Sequence, residues 1–261
     1  MCILSKNNER EIMNNWKKYI NTVVIILMFL GLNWYNIDIN KKSEQLVTDK
    51  LIEMSNGIML RMNKHALEIQ GVKRIIDDSR NIDSEVSYTY AEEIVNTAHR
   101  FNNISVSLLT SIIFHESRFN PLAESPAGAK GIGQLMPELV YWVAGEWNMI
   151  YTDTLAYDYT FNIRATAWYL DFLYQVPKNS KGSLERTVAY YNGGSKQAYR
   201  WELYQKDMNG GSLDSLECVN MLKLSEETKN YVINVIHMDS VFEKSIKNEL
   251  PTTNEQQGEQ F

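Results

Sequence analysis

The run His115-Glu-Ser-Arg-Phe-Asn-Pro-Leu-Ala-Glu-Ser-Pro-Ala-Gly-Ala-Lys-Gly-Ile-Gly-Gln-Leu-Met-Pro137 joins two kinds of sequence. Before it, Val106, Leu109, Ile112 and Ile113 recur at helical spacing, with Ser105 or Asn103 available as the cap. Within it, Asn120-Pro121 forces the chain to extend or turn soon after Glu116. Glu116 therefore sits at the mouth of a helix whose other face is core. Beyond the turn the chain becomes a loop of small residues, with Ala127, Gly128, Ala129, Gly131 and Gly133 close together. Such a loop lets backbone approach a bound ligand, because nothing beyond Cα stands in the way. An acid over a glycine-lined loop suits general acid–base work on a polar polymer.

These residues carry a family resemblance. Glu116-Ser117, Phe119-Asn120-Pro121, Ala123, Ser125, Gly128-Ala129 and Gly131-x-Gly133-Gln134-Leu135-Met136-Pro137 resemble the SLT-type lytic transglycosylases. The likeness continues in the family's order. Asp158, Asn162-Ile163 and Tyr169-Leu170 resemble its middle helix. Ala189-Tyr190-Tyr191-Asn192-Gly193-Gly194 resembles its Ala-Tyr-Asn-x-Gly motif, and Glu227-Thr228-x-x-Tyr231-Val232 its closing motif. Each piece alone is weak evidence, but the ordered set over residues 90–240 is not. The resemblance implies an all-α, goose-lysozyme-like domain that cleaves peptidoglycan strands and uses no cofactor.

It also implies a site. Glu116 is the expected catalytic acid. Ser125, Gln134 and Met136 match family positions near the acid and the sugar. Ser125 has two readings, a bond to Glu116 or substrate and a simple turn cap. Tyr191 and Asn192 match the motif that faces the acid, with Tyr191 expected to orient the carboxyl or stabilise developing charge. Glu227 and Tyr231 match the closing motif at i, i+4 on one helical face, where Glu227 has a structural reading as well.

The chemistry makes demands of its own. Protonating a glycosidic oxygen near neutral pH requires a carboxyl whose pKa is raised, as apolar surroundings do by penalising the charged form. Most glycosidases add a second carboxylate about 5–10 Å away. Glu124, Asp158 and Glu227 are candidates, but none matches a family nucleophile. The resemblance implies instead that the substrate's own C6 hydroxyl attacks its anomeric carbon, with Glu116 returning as base, to give a 1,6-anhydro ring. Two alternatives stand beside this reading: a hydrolytic muramidase using water, and a wall-binding assembly subunit of a secretion, conjugation or phage apparatus.

Working outward, the 261 residues hold one medium domain plus extensions. With 26 basic and 32 acidic residues the net charge is −6, which argues against nucleic acid as the main partner. Cys2 and Cys218 lie far apart without metal-ligand spacing. His65, His99, His115 and His237 show no such spacing either, so no metal is expected. His115 is expected to point away from Glu116's side of the helix.

Tyr19 to Tyr35 is apolar on nearly all sides and spans about 25 Å as a helix, near the short limit for a bilayer. Trp16, Tyr19, Trp34 and Tyr35 flank it like interfacial belts. A cleaved signal would want small residues near its end, and Leu32-Asn33-Trp34-Tyr35 offers none. A lipoprotein cysteine would come after the apolar run, whereas Cys2 precedes it. Lys6, Arg10, Lys17 and Lys18 keep the N-terminus cytoplasmic, although Lys41 and Lys42 weaken the asymmetry. The expected order is a cytoplasmic tail (1–18), an anchor (19–35), a helical stalk or linker (36–88), the catalytic domain outside the membrane (89–245) and a disordered tail (246–261).

In the stalk, Leu46, Leu51, Met54, Ile58, Met62, Ile69, Val72, Ile75 and Ile76 form an imperfect stripe. It drifts from a strict heptad, which favours helices resting on the domain over a self-associating coil. Arg80–Ser84 reads as a linker before a helix at Tyr90–Phe101. Later helices are expected at Glu138–Trp147, Asn162–Val176, Leu184–Tyr191 and Glu226–Val241, with Tyr231, Val235 and Val241 facing inward. A turn is expected at Lys178–Gly182 and a polar loop between Asp207 and Ser225. No period-two run is long enough for a strand, so the domain should be nearly all helix.

Overall fold

A computed structural model of the chain describes residues 3–175, 183–208 and 225–248. Two compact units divide it, Met1–Met62 and Asn63–Phe261. The helices are α1 (Ile3–Ser79), α2 (Ser84–Ala98), α3 (Val106–Ser117), α4 (Pro137–Glu146), α5 (Tyr159–Gln175), α6 (Leu184–Met208) and α7 (Glu226–Asn248), with a 3₁₀ turn at Leu155–Tyr157. Among the described residues the only β-pairing is two isolated bridges, Glu124 with Lys130 and Lys130 with Leu135. The all-α expectation holds.

The first unit is helical throughout its described part, as a stretch without proline allows. Its apolar side chains from Ile20 to Leu32 are exposed. By length and composition α1 contains the one helical segment among the described residues able to cross a membrane, and none of that segment is buried in protein. The stalk stripe changes character along its length. Leu46, Leu51, Met54, Ile58 and Met62 are exposed, whereas Ile69, Val72, Ile75 and Ile76 are buried in the core of the second unit. The unit boundary thus falls inside the 36–88 stalk, because only its C-terminal part finds apolar partners.

In the second unit Asp83 caps α2 by accepting from the Glu85 N–H at 2.8 Å, which starts that helix at Ser84 and not at Tyr90. Tyr90, Ala91, Ile94, Val95 and Ala98 form its buried stripe. Ser105, the nearer of the two candidate caps, accepts from the Leu108 N–H at 3.0 Å and opens α3. Leu108, Leu109, Ile112 and Ile113 are all fully buried, each contributing about 1.5–3 kcal/mol of transfer free energy. α3 packs against α7, α7 against α6, and α2 against α5. Arg164 of α5 reaches Glu93 of α2 through two bonds, 2.6 and 3.1 Å.

The ends of two later helices move. α6 does not stop at Asn192: Gly194 absorbs a kink at φ 72°, and the helix resumes with Ala198 and Trp201 buried. α7 runs on to Asn248. On it Val235 is buried, but Val241 is exposed and Phe242 and Ile246 take the inward positions. The expected turn at Lys178–Gly182 and most of the Asp207–Ser225 loop and the C-terminal tail lie outside the described residues.

Candidate active site

Glu116 lies in the last turn of α3, so the buried face of that helix fixes its backbone. The helix ends because Arg118 and Phe119 both take left-handed backbone, φ 50° and 59°. Phe119 is then fully buried, and the Arg118 guanidinium rests 4.6 Å from the Phe114 ring centroid. Ser117 fastens the turn. Its hydroxyl donates to the Ile132 carbonyl at 2.6 Å and accepts from the Asn120 N–H at 3.1 Å.

The Glu116 carboxyl has one hydrogen-bond partner among the described residues. The Tyr231 hydroxyl donates to its Oε1 at 2.5 Å, joining α7 to α3 across 115 positions of sequence. Burial pushes the Glu116 pKa up to about 7, and the Tyr231 bond, which favours the carboxylate, offsets only part of this. The carboxyl is therefore about half protonated at neutral pH and increasingly protonated below it. Burial, with Glu116 close by, holds the Tyr191 and Tyr231 phenols well above their usual range, so both remain neutral donors. His115 does not turn wholly away. Its ring meets that of Tyr231 edge-on at 6.0 Å, and burial lowers its pKa, which favours the neutral imidazole.

Tyr191 lies close enough to Glu116 for the carboxyl to act on its phenol, but its hydroxyl bond goes to the glycine loop. Its hydroxyl donates to the Gly133 carbonyl at 2.6 Å, and its ring tilts against Tyr169 at 5.9 Å. It steadies the glycine loop while Tyr231 holds the acid. Ser125 adopts its turn-capping reading: its hydroxyl accepts from the Ala129 N–H at 3.0 Å. Gln134, at φ 53°, donates its amide to the Ala123 and Gly131 carbonyls at 3.1 and 3.0 Å. Met136 precedes α4 and is partly exposed, Asn192 is half-buried beside Tyr191, and Glu227 is exposed in the first turn of α7. The structure thus brings Tyr231 directly onto Glu116 and sets Tyr191 and Gln134 on the loop, while Glu227 points to solvent.

Gly131 and Gly133 face protein, which corrects the ligand-approach reading at those two positions, whereas Gly128 faces open space. A Cβ on Gly131, at φ 81°, would stand 2.0 Å from the Ala156 carbonyl and 2.2 Å from Asn162 Nδ2. A Cβ on Gly133 would stand 2.0 Å from Thr166 Oγ1. Asn162, wholly buried, is the clamp: its Oδ1 accepts from the Gly133 N–H at 2.7 Å. Its amide donates to the Lys130 and Ala156 carbonyls at 3.1 and 2.7 Å. Sequence reasoning marks Asn162 only as part of a motif and misses Thr166. The available signal is polar residues at i, i+4 on a helix face shared with Leu170 and Leu173.

The three candidate second carboxylates are engaged elsewhere or turned to solvent. Glu124 accepts from the Tyr157 hydroxyl at 3.1 Å, Asp158 caps α5 through the Phe161 N–H at 2.9 Å, and Glu227 is exposed. No carboxylate perturbs Glu116 among the described residues. No grouping of three metal-ligating side chains forms around it either; among the described residues the one such grouping lies at His65, Glu68 and His99.

Comparison with known proteins finds likenesses over part of the chain. Residues 93–212 match the family model described as Transglycosylase SLT domain. A soluble lytic murein transglycosylase of Salmonella typhimurium is 28% identical over 152 residues, which is 55% of this chain but 21% of that protein. The chain therefore spans about a fifth of that relative. Among solved structures, the 70 kDa soluble lytic transglycosylase of Escherichia coli aligns over 66% of this chain and 29% of its own, with TM-score 0.45 and 22% identity. An inactive mutant of the lytic transglycosylase Slt from Pseudomonas aeruginosa aligns over 65% and 28%, with TM-score 0.46 and 21% identity. The family-model match falls on the residues that hold Glu116, the glycine loop and Tyr191, so this stretch of the chain is similar to the transglycosylase SLT domain.

Proposed function

We propose that this protein is a membrane-anchored lytic transglycosylase that cleaves the β-1,4 bond between N-acetylmuramic acid and N-acetylglucosamine in peptidoglycan without consuming water. The observation that carries the reading is a desolvated carboxyl, Glu116, with a pKa raised to about 7 and, among the described residues, no carboxylate acting on it. Oε1 accepts from Tyr231, which leaves Oε2 to carry the proton. Transfer of that proton to the glycosidic oxygen releases the N-acetylglucosamine hydroxyl and builds positive charge at the muramic acid anomeric carbon. The C6 hydroxyl of the same sugar then attacks that carbon, and its proton passes to the Glu116 carboxylate. The C1–O bond broken is replaced by a C1–O6 bond, and Glu116 returns to its starting form. The internal nucleophile is already tethered, so proximity replaces the activated water and the second carboxylate that hydrolysis requires.

Product analysis tests the chemistry. Peptidoglycan digested with the protein, reduced with borohydride and examined by mass spectrometry should yield fragments ending in 1,6-anhydro-N-acetylmuramic acid. These are one water lighter than hydrolysed fragments and resist reduction. Reducible muramic acid as the main end would replace the reading with a hydrolytic muramidase. Binding to walls with no cleavage at all would replace it with an assembly subunit.

The anchor is tested separately. With the apolar segment from Tyr19 to Tyr35 in the bilayer and basic residues ahead of it, the catalytic unit lies outside the cytoplasmic membrane. The protein should sediment with membranes and stay there through carbonate extraction. A soluble form starting near Asn36 would mean that the segment is a cleaved signal.

A further inference from the structure

An open cavity of about 450 Å³ lies where the second unit's part of α1 meets the C-terminus of α2, the start of α3 and α7. It reaches α3 at Val106, ten residues or about 15 Å of helix from Glu116, and shares no residue with the site above. Glu68 and His99 line it, and with His65 they bring one ligand atom each to within 4.8 Å of one another. His65 and Glu68 share a face of α1 at i, i+3, and His99 is the residue that ends α2.

Glu68 is the unusual member. It is nine-tenths buried, at 9% exposure, and its Oε2 makes no hydrogen bond. His99 Nε2 stands 2.9 Å from that oxygen, yet the approach lacks hydrogen-bond geometry. The His65 and His99 rings lie 5.3 Å apart and tilted, not stacked. Two ligand atoms side by side, with a second imidazole facing them, is the arrangement of ligands around one ion. In a tetrahedral zinc site, bonds of about 2.0–2.1 Å put neighbouring ligand atoms about 3.3 Å apart.

We propose that His65, Glu68 and His99 form a binding site for a divalent transition metal of the zinc class. Imidazole and carboxylate ligands suit zinc over magnesium or calcium, which prefer all-oxygen sets. Three protein ligands leave one position for water on the cavity side. The metal ties residues 63–79 of α1 to the end of α2 and compensates the buried Glu68 charge. One neighbour opposes it: Lys64 Nζ lies 3.9 Å from Glu68 Oε1, on an exposed side chain free to swing away. The other charged groups lining the cavity, Glu243 and Lys247, are paired with each other at 2.6 Å. No spacing in the sequence announces this set, because His99 lies on a different helix from the other two.

The test uses the full chain in detergent, stripped with a chelator and titrated with Zn²⁺ against a chromophoric competitor, and in parallel with Co²⁺. The expected result is one equivalent bound, with Co²⁺ giving visible d–d absorption and Zn²⁺ raising the melting temperature. His65→Ala and His99→Ala should each weaken binding at least tenfold and remove the Co²⁺ bands, while Lys64→Ala should tighten it. Should His65→Ala misfold, the exposed His99 carries the test alone, with helicity checked by circular dichroism. Absence of stoichiometric binding, or binding that persists unchanged in His99→Ala, overturns the site and leaves His99 and Glu68 as an ordinary ion pair.

Discussion

Glu116→Gln is expected to lower wall-clearing activity by at least two orders of magnitude while the fold survives. The amide is nearly isosteric and still accepts from Tyr231, but it has no proton to give. The pH dependence comes from the same group. Glu116 must be protonated to act first as acid, so wild-type activity should fall as pH rises through about 7. Stability moves in a linked way. The folded pKa lies above the ordinary value of 4.5, so the folded state holds the proton between pH 4.5 and 7 while the unfolded state releases it. Wild-type stability should therefore decline across that window as pH rises, by at most about 3 kcal/mol. Glu116→Gln should not show the decline and should be the more stable protein above pH 7. Tyr231→Phe removes the one bond that favours the carboxylate. It should move the activity limb to higher pH and cost about tenfold, the scale of a hydrogen bond to a charged group. Near wild-type clearing by Glu116→Gln, or a flat profile across neutrality, would mean that the acid is another residue.

Asn162→Ala should be the most destabilising single change near the site. It strips the partner from the Gly133 N–H and the Ala156 carbonyl at once, in a buried region, and leaves the Lys130 carbonyl with only the Leu135 N–H at 2.9 Å. At about 1–3 kcal/mol for each of the two orphaned buried groups, the expected loss is about 2–6 kcal/mol, a large share of an ordinary domain's stability. Urea denaturation monitored by circular dichroism measures it. Asn162→Asp keeps the acceptor for Gly133 but loses both donors and buries a charge, so it should not rescue. A loss under about 1 kcal/mol in Asn162→Ala would mean that the glycine loop is held by Tyr191 and Ser117 alone.

Glu116 and Asn162 differ in how legible they are. Glu116 can be singled out from residues 115–137 alone, because a helix end before Asn120-Pro121 and clustered glycines is a local pattern. The helix starts at Ser105 and Pro137 are readable for the same reason, since capping acts within one turn. The role of the glycines is not. Whether a missing Cβ makes room for a sugar or for Asn162 depends on where α5 packs, and nothing inside the loop encodes that.

Taken alone, the sequence determined the all-α class, the apolar segment near the N-terminus, and the acid with its loop, all of which depend on periodicity and neighbours a few residues apart. Tertiary structure decided the rest. It chose Tyr231 over Tyr191 as the hydrogen-bond partner of Glu116, raised the Glu116 pKa by burial, and gave part of the stalk to the second unit. It also gathered His65, Glu68 and His99. The physical reason is range. Propensity, capping and turn chemistry act over about a turn of chain, whereas desolvation and side-chain convergence depend on which surfaces meet when the helices pack.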